Sequence, residues 1–286
     1  MEEIIRKAEV LVEALPYIQI VVIKFGGSAM EEKAYAEGIL TDVVFMECVG
    51  MLPVVVHGGG KAITRKMKEL GVESRFLKGL RVTCERSMAI VEQVMKEEIN
   101  PEIIAQLERR GARAARVDGE KVFKVTKKTG TDEETGASLD WGYVGEPVQT
   151  DVGPLRELLD REMIPVVTPL GLDADGRMHN INADSAAAAA ASALRSRKLV
   201  FLTDVPGLLR DSDDQTSVMS TLRTDEVAKL IEDGVIGGGM LPKVEGGVAA
   251  LDAGVGKIHM VDGRLPHSLL LEIFTDKGVG TEIVRK

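Results

Sequence analysis

Three stretches of the chain hold residues that could handle an anion. Lys24 lies in IQIVVIKFGGS, where a largely β-branched run meets Gly26 and Gly27. Lys61 follows Gly58, Gly59 and Gly60 in VVVHGGGK, and Lys243 comes shortly after Gly237, Gly238 and Gly239 in GGGMLPK. Glycine turns let backbone N–H groups approach an anion, and a following helix start adds a favourable dipole. Lys24 closes a buried run, so it must reach a polar cleft or bear a desolvation cost. Lys243 near a helix start opposes the dipole unless an anion sits there too. Asn180, Asn182 and Asp184 precede an alanine-rich stretch, and Asp184 has an ordinary reading as that helix's N-cap. Arg81, in KGLRVT, either grips a ligand carboxylate bidentately or serves as a salt-bridge partner. Singly, each is a solvated or paired charge; together they point to a site for a small anionic ligand.

The elements that must hold these residues alternate. Short apolar runs end in glycine at KFGGS, VHGGGK, TPLG and TDVPG, and helical stretches follow at about 31–49, 60–70, 185–194 and 241–253. Residues 86–109 read as one long helix, ARAARV and KVFKVT as strands, and 127–142 as a loop or hairpin. Further helices are expected over 152–162, 224–233 and PHSLLLEIF, and a late strand at KIHMVDG. Alternating strands and helices predict an α/β fold, a sandwich with a mainly parallel sheet. In such sheets ligands bind outside the carboxyl ends of the strands. Residues 3–15 form an additional amphipathic helix, ended by Pro16, whose apolar stripe must pack on its own subunit or on another. No low-complexity linker divides the chain, so any boundary is a cleft within one structure.

The composition narrows the function. With 36 basic and 45 acidic residues in 286, the net charge is −9, which argues against a general nucleic-acid binder. Aromatics at 3% leave little for base stacking. No GxxxxGK[ST], GxGxxG, GxSxG or HExxH occurs, which weighs against P-loop, Rossmann, α/β-hydrolase and zincin chemistry. Cys48 and Cys84 are expected to be buried reduced thiols, and no metal-ligand cluster is spaced along the chain. No segment approaches the ~18–20 apolar residues of a membrane span, and no signal peptide is evident, so a cytoplasmic location is expected.

KFGGSAM, VVHGGGKAI, LKGLRVT, PVVTPLG, HNINADSAA, FLTDVPGLL and GGGMLPKVEGGVAAL occur in this order. Together they resemble the N-acetyl-L-glutamate kinases of the amino-acid-kinase superfamily, from about Leu15 to Ile283. LKGLRVT with NINAD carries the acetylglutamate branch in particular.

The resemblance implies an open αβα sandwich with two lobes: residues 17–190 for acetylglutamate and dimerisation, and 191–286 for ATP. It implies phosphorylation of the side-chain carboxylate of N-acetyl-L-glutamate by ATP, in arginine biosynthesis. Mg²⁺ would be held mainly by the nucleotide phosphates, with no protein metal site. By the same resemblance Lys24 and Lys243 neutralise the transferring phosphoryl group and Asp184 organises both. Gly26, Gly27, Gly59 and Gly60 line the phosphoryl and substrate site, and Arg81 and Asn180 grip acetylglutamate. Asp204, Gly207 and Leu209, with Gly238 in the stretch 235–239, belong to nucleotide-binding segments. A carboxylate nucleophile is already ionised at pH 7, so the lack of a compelling catalytic histidine among His57, His179, His259 and His267 fits the reading. The resemblance further implies a homo-oligomer, a hexamer built from dimers through the helix at residues 1–16. It implies feedback inhibition by L-arginine, with Tyr17, His267, Glu272 and Gly280 around the effector. Two alternatives stay open on sequence alone: a carboxylate kinase for a carrier-linked α-aminoadipate, and a non-catalytic amino-acid sensor. Departures from the family pattern fall at Glu97 in MKEEIN and across RVDGEK at 116–121.

Overall fold

The structure is a computed structural model that describes residues 20–132, 135–211, 213–275 and 278–286. The helix expected over residues 1–16, and Tyr17, lie outside the described residues. In chain order the strands are β1 (Ile20–Phe25), β2 (Leu52–His57), β3 (Phe76–Leu77), β4 (Leu80–Arg81), β5 (Ala114–Val117), β6 (Phe123–Thr131), β7 (Ser138–Thr150), β8 (Ile164–Val167), β9 (Leu170–Leu172), β10 (Met178–Ile181), β11 (Lys198–Thr203), β12 (Thr221–Arg223), β13 (Lys257–Asp262) and β14 (Thr281–Val284). The helices used below are α1 (Lys33–Cys48), α2 (Gly60–Glu69), α3 (Glu85–Gln93), α4 (Asn100–Arg109), α5 (Gly153–Asp160), α6 (Ala183–Leu194), α7 (Leu241–Asp252) and α8 (Ser268–Phe274).

Eight strands form one sheet in the order β12-β14-β13-β11-β1-β2-β8-β5. All its pairs are parallel except β13 with β14. The mainly parallel α/β architecture expected from the alternation is therefore present. Strand periodicity sends alternate residues to opposite faces. In β1, Val22 joins the core beneath α6 and α7, while Val21, Ile23 and Phe25 join the core beneath α1 and α4. Lys24 keeps the register of Val22, so the sequence pattern alone aims it at the α6 side. Ala186, Ala187, Ala190 and Ala191 are fully buried, and small side chains let α6 lie close to the sheet.

Several elements differ from the sequence-based expectation. Residues 127–131 and 138–142 pair within the β6–β7 hairpin, one of the two forms expected there, but its closure with β9 and β10 into a small four-stranded barrel was not expected. Residues 86–109 are helical, but a π-helical segment, Val94–Ile99, separates α3 from α4. A π turn shifts the helix register, which a 3.6-residue period cannot reveal. Cys48 and Cys84 are free and exposed rather than buried. Cys48 ends α1 and Cys84 caps the start of α3, and both positions lie at the surface. Among the described residues no helix is long and apolar enough to cross a membrane.

Candidate active site

Two glycine turns meet at the carboxyl ends of β1 and β2. The Gly58 N–H donates to the Phe25 carbonyl at 2.7 Å, which fastens one turn to the other. Gly27 has φ +68°, and a Cβ there would stand 2.9 Å from Asp204 Oδ1. A side chain there would be strained by the backbone conformation and would displace the Asp204 carboxylate. The third wall is the start of α6: a Cβ on Gly58 would lie 3.9 Å from that of Ala183. Together they form a cleft of about 210 Å³, lined also by β3, β4 and β10.

Asp184 is not the N-cap of α6. Asn182 fills that position, its side-chain oxygen accepting from the N–H groups of Asp184 and Ser185 at 2.8 and 3.4 Å. The Asp184 carboxylate is thereby free to face the cleft, in the first turn where the helix dipole favours a negative charge. Lys24 Nζ lies 3.2 Å from its Oδ1 and Lys243 Nζ lies 2.5 Å from its Oδ2. The three side chains are only 11%, 16% and 11% exposed for Lys24, Lys243 and Asp184. Burial pushes the Asp184 carboxyl up, but the charges and hydrogen bonds of the two lysines outweigh it and hold it below the usual carboxylate range. Burial lowers Lys243, with Asp184 opposing. Lys243 at a helix start thus has its anion, and two cations share this one carboxylate, with the charge of Asp204 also acting on Lys243.

Arg81 supplies a second cationic wall. Its guanidinium donates to the Gly60 carbonyl at 2.8 Å, Thr64 Oγ1 at 2.7 Å and Ser74 Oγ at 2.9 Å, and lies 4.7 Å from the Phe76 ring centroid. It is buried, and among the described residues no carboxylate stands within ion-pair distance. A buried guanidinium held by neutral acceptors retains its charge and calls for an anionic ligand. Asn180, on β10, lines the same cleft.

Of the residues singled out in the sequence, Lys24, Gly27, Gly59, Gly60, Arg81, Asn180 and Asp184 line this one cleft. Lys243 joins through Asp184, Gly26 packs on Lys24 with a Cβ position 3.1 Å from Nζ, and Asp204 stands beside Gly27. Lys61 is exposed and does not line this cleft. The glycines at the other two strand ends are closely packed and lie outside this lining. Gly171 sits inside β9, and a Cβ on Gly207 would meet Thr281 Oγ1 at 2.6 Å. Gly207, Leu209 and Gly238 do not line this cleft.

A second polar cavity, of about 280 Å³, lies by the amino-terminal ends of β11 and β13. Glu272, on α8, accepts from His259 at 2.6 Å and from the N–H groups of Val279 and Gly280 at 2.7 and 3.0 Å. Burial raises the Glu272 carboxyl, but His259 and these N–H groups hold it below its usual range. Burial lowers both His259 and Lys198, which also lines the cavity. His267 is not part of this cavity; it is bound to the buried Asp42 at 2.7 Å. Gly280 contributes its N–H to Glu272, while its Cβ position lies 2.1 Å from the Met260 carbonyl oxygen. The histidine that meets Glu272 is therefore His259, which sequence reasoning passed over. Its only signal was its place within KIHMVDG, on the strand facing α8.

The amino acid kinase family model matches residues 19–262. Acetylglutamate kinase of Heliobacterium modesticaldum is 48% identical over 300 residues, covering 100% of both chains. That of Carboxydothermus hydrogenoformans is 46% identical over 290 residues, covering 98% of this chain and 99% of the relative. The chain belongs to the amino acid kinase family, in its acetylglutamate kinase branch. Among solved structures, N-acetylglutamate synthase from Neisseria gonorrhoeae complexed with coenzyme A and N-acetyl-glutamate is similar, with TM-score 0.83 and 26% identity. The match covers 99% of this chain and 63% of the synthase, so this chain spans less than two thirds of it. The same synthase complexed with coenzyme A and L-arginine gives TM-score 0.79 at 26% identity, over 98% of this chain and 64% of that one.

Proposed function

We propose that the chain catalyses ATP-dependent phosphorylation of the side-chain carboxylate of N-acetyl-L-glutamate, forming N-acetyl-L-glutamyl 5-phosphate for arginine biosynthesis. The observation that carries this reading is one cleft with two separate cationic features: the Lys24–Asp184–Lys243 cluster and the buried Arg81 guanidinium. The first suits a phosphoryl group in transfer, and the second suits a carboxylate that does not react. In the reaction an oxygen of the substrate side-chain carboxylate bonds to the γ-phosphorus, and the bond from that phosphorus to the ADP oxygen breaks. No proton has to move, so no general base is needed. Lys24 and Lys243 neutralise the oxygens around phosphorus, Asp184 orients both lysines, and Gly26, Gly27, Gly59 and Gly60 supply backbone donors. Arg81 and Asn180 hold acetylglutamate.

In this reading the chain has two lobes, 17–190 for acetylglutamate and 191–286 for ATP. The nucleotide lies toward Asp204, Gly207, Leu209 and Gly238. Among the described residues no group of three or more His, Cys, Asp or Glu side chains is arranged to hold an ion. Mg²⁺ is assigned to the nucleotide phosphates, as the family resemblance implies. L-Arginine occupies the second cavity, where Glu272 faces a guanidinium and Lys198 a carboxylate. The enzyme is cytoplasmic and assembles from dimers into a hexamer through residues 1–16. Hydroxylamine trapping tests the reaction: acetylglutamate with MgATP should give the hydroxamate of an acyl phosphate. No hydroxamate from acetylglutamate, with product from another amino acid, would overturn the substrate assignment.

A further inference from the structure

We propose that His57 is a positioning residue for phosphoryl transfer: its ring holds the Gly58 carbonyl and thereby presents the Gly59 N–H to the transferring phosphoryl group. The inference rests on the reaction assigned above to this cleft. His57 ends β2 and is fully buried, and it does not line the cleft. Its Nδ1 lies 2.9 Å from the Gly58 carbonyl oxygen, and its Nε2 lies 3.1 Å from Asn100 Nδ2. The Asn100 amide also donates from Nδ2 to the Val166 carbonyl at 2.9 Å, which fixes the amide's orientation. A carbonyl only accepts and an amide nitrogen only donates, so both contacts require one tautomer, with the proton on Nδ1. Burial lowers His57 to about 4, so the ring stays neutral near pH 7.

A trans peptide points its carbonyl oxygen and the next N–H in opposite directions. With the Gly58 oxygen held by the buried ring, the Gly59 N–H is turned away from it. Among the described residues that N–H meets no acceptor. Gly59 lines the cleft, and its back is closed: a Cβ there would stand 2.8 Å from Ile99 Cδ1. Ile99 and Asn100 are consecutive, at the end of the π-helical segment, and both brace the same turn. The π segment, a feature that often marks functional sites, here supports the glycine turn from behind.

The test compares His57→Leu with His57→Asn. Asparagine keeps an N–H donor near the position of Nδ1, while leucine removes it. His57→Leu should lower kcat by roughly 10–100-fold, less than the about 10²–10³-fold known for outright loss of one oxyanion donor, and leave KM for acetylglutamate within about twofold. His57→Asn should recover most of kcat. Equal kcat in His57→Leu and wild type, equal losses in both variants, or a raised KM at unchanged kcat would each overturn the proposal. Should His57→Leu fail to fold, ¹⁵N NMR of the wild-type imidazole decides. The proposal requires a proton on Nδ1, none on Nε2, and no titration near pH 6.5; the other tautomer or a normal titration overturns it. A wild type that makes no acyl phosphate would instead overturn the reaction assigned to the cleft, while the tautomer can still be read.

Discussion

Two buried carboxylates organise this molecule, and they are partnered in opposite ways. Asp184 lies between two lysines at the carboxyl ends of β1 and β2. Glu272 lies at the other end of the sheet, held by an imidazole and two backbone N–H groups. Both carboxyls are held below their usual range, although burial pushes each of them up. At Asp184 the opposing partners are cations, so the cleft can receive an anion and do work on it. At Glu272 the partners are neutral near pH 7, because burial lowers His259, and the carboxylate keeps a charge to offer. The same carboxylate chemistry thus sits between two cations at one end of the sheet and among neutral donors at the other.

Breaking the first site should have the largest effect. Lys24→Ala or Lys243→Ala should lower kcat about 10²–10³-fold, as for loss of one donor to transition-state charge. Steady-state kinetics with acetylglutamate and MgATP would show this, and a near-normal kcat would remove that lysine from the chemistry. Asp184→Ala leaves two buried lysines facing each other and should also cost about 3–5 kcal/mol of stability, read by urea unfolding. Arg81→Ala should raise KM for acetylglutamate roughly 10–100-fold and spare ATP, the scale of one or two charged hydrogen bonds. Equal losses for both substrates would make Arg81 a structural residue.

The second site sharpens the contrast at smaller cost. Glu272→Ala and His259→Ala should each abolish inhibition by millimolar arginine and leave kcat within about twofold, a coupling of some 1–3 kcal/mol. His267→Ala should retain inhibition, since that ring sits on Asp42 instead. Wild-type insensitivity to arginine would end the effector assignment and leave the catalytic one standing. The smallest effect is a pH dependence of stability. Below about pH 6.5 the unfolded chain protonates at position 57 while the folded ring stays neutral to about 4. Stability should therefore fall with pH, by roughly 2 kcal/mol between pH 7 and 5 from this group. Urea unfolding of His57→Asn at both values should show a correspondingly flatter dependence; an unchanged slope would deny His57 its share.

Much of the first site was legible because its residues punctuate strong local signals. Lys24 closes a β-branched run, Gly58 to Gly60 stop another, and Asp184 opens an alanine run. The ordinary reading of Asp184 as the N-cap gives way to Asn182, since both are good N-caps and only the backbone decides between them. A glycine after a strand can serve packing as well as an anion, and those of TPLG and TDVPG lie against neighbouring atoms, outside the lining of this cleft. The second site was poorly legible. Lys198 and His259 come from separate strands that meet only through the sheet register, in which His259 pairs with Val200. His267 entered through the family resemblance of the C-terminal stretch, and its ring is bound to Asp42 instead. The small barrel and the π segment left no periodic signature.

The central assignment, a carboxylate nucleophile acting without a general base, can be followed by isotope. Acetylglutamate carrying ¹⁸O in its side-chain carboxylate is turned over with MgATP, and hydroxylamine then releases phosphate by attack at the acyl carbon. The bridging oxygen leaves with phosphorus, so mass spectrometry should find one ¹⁸O per phosphate released. Phosphate free of ¹⁸O would mean that water, not the carboxylate, attacked ATP, and would contradict the reaction assigned to this cleft.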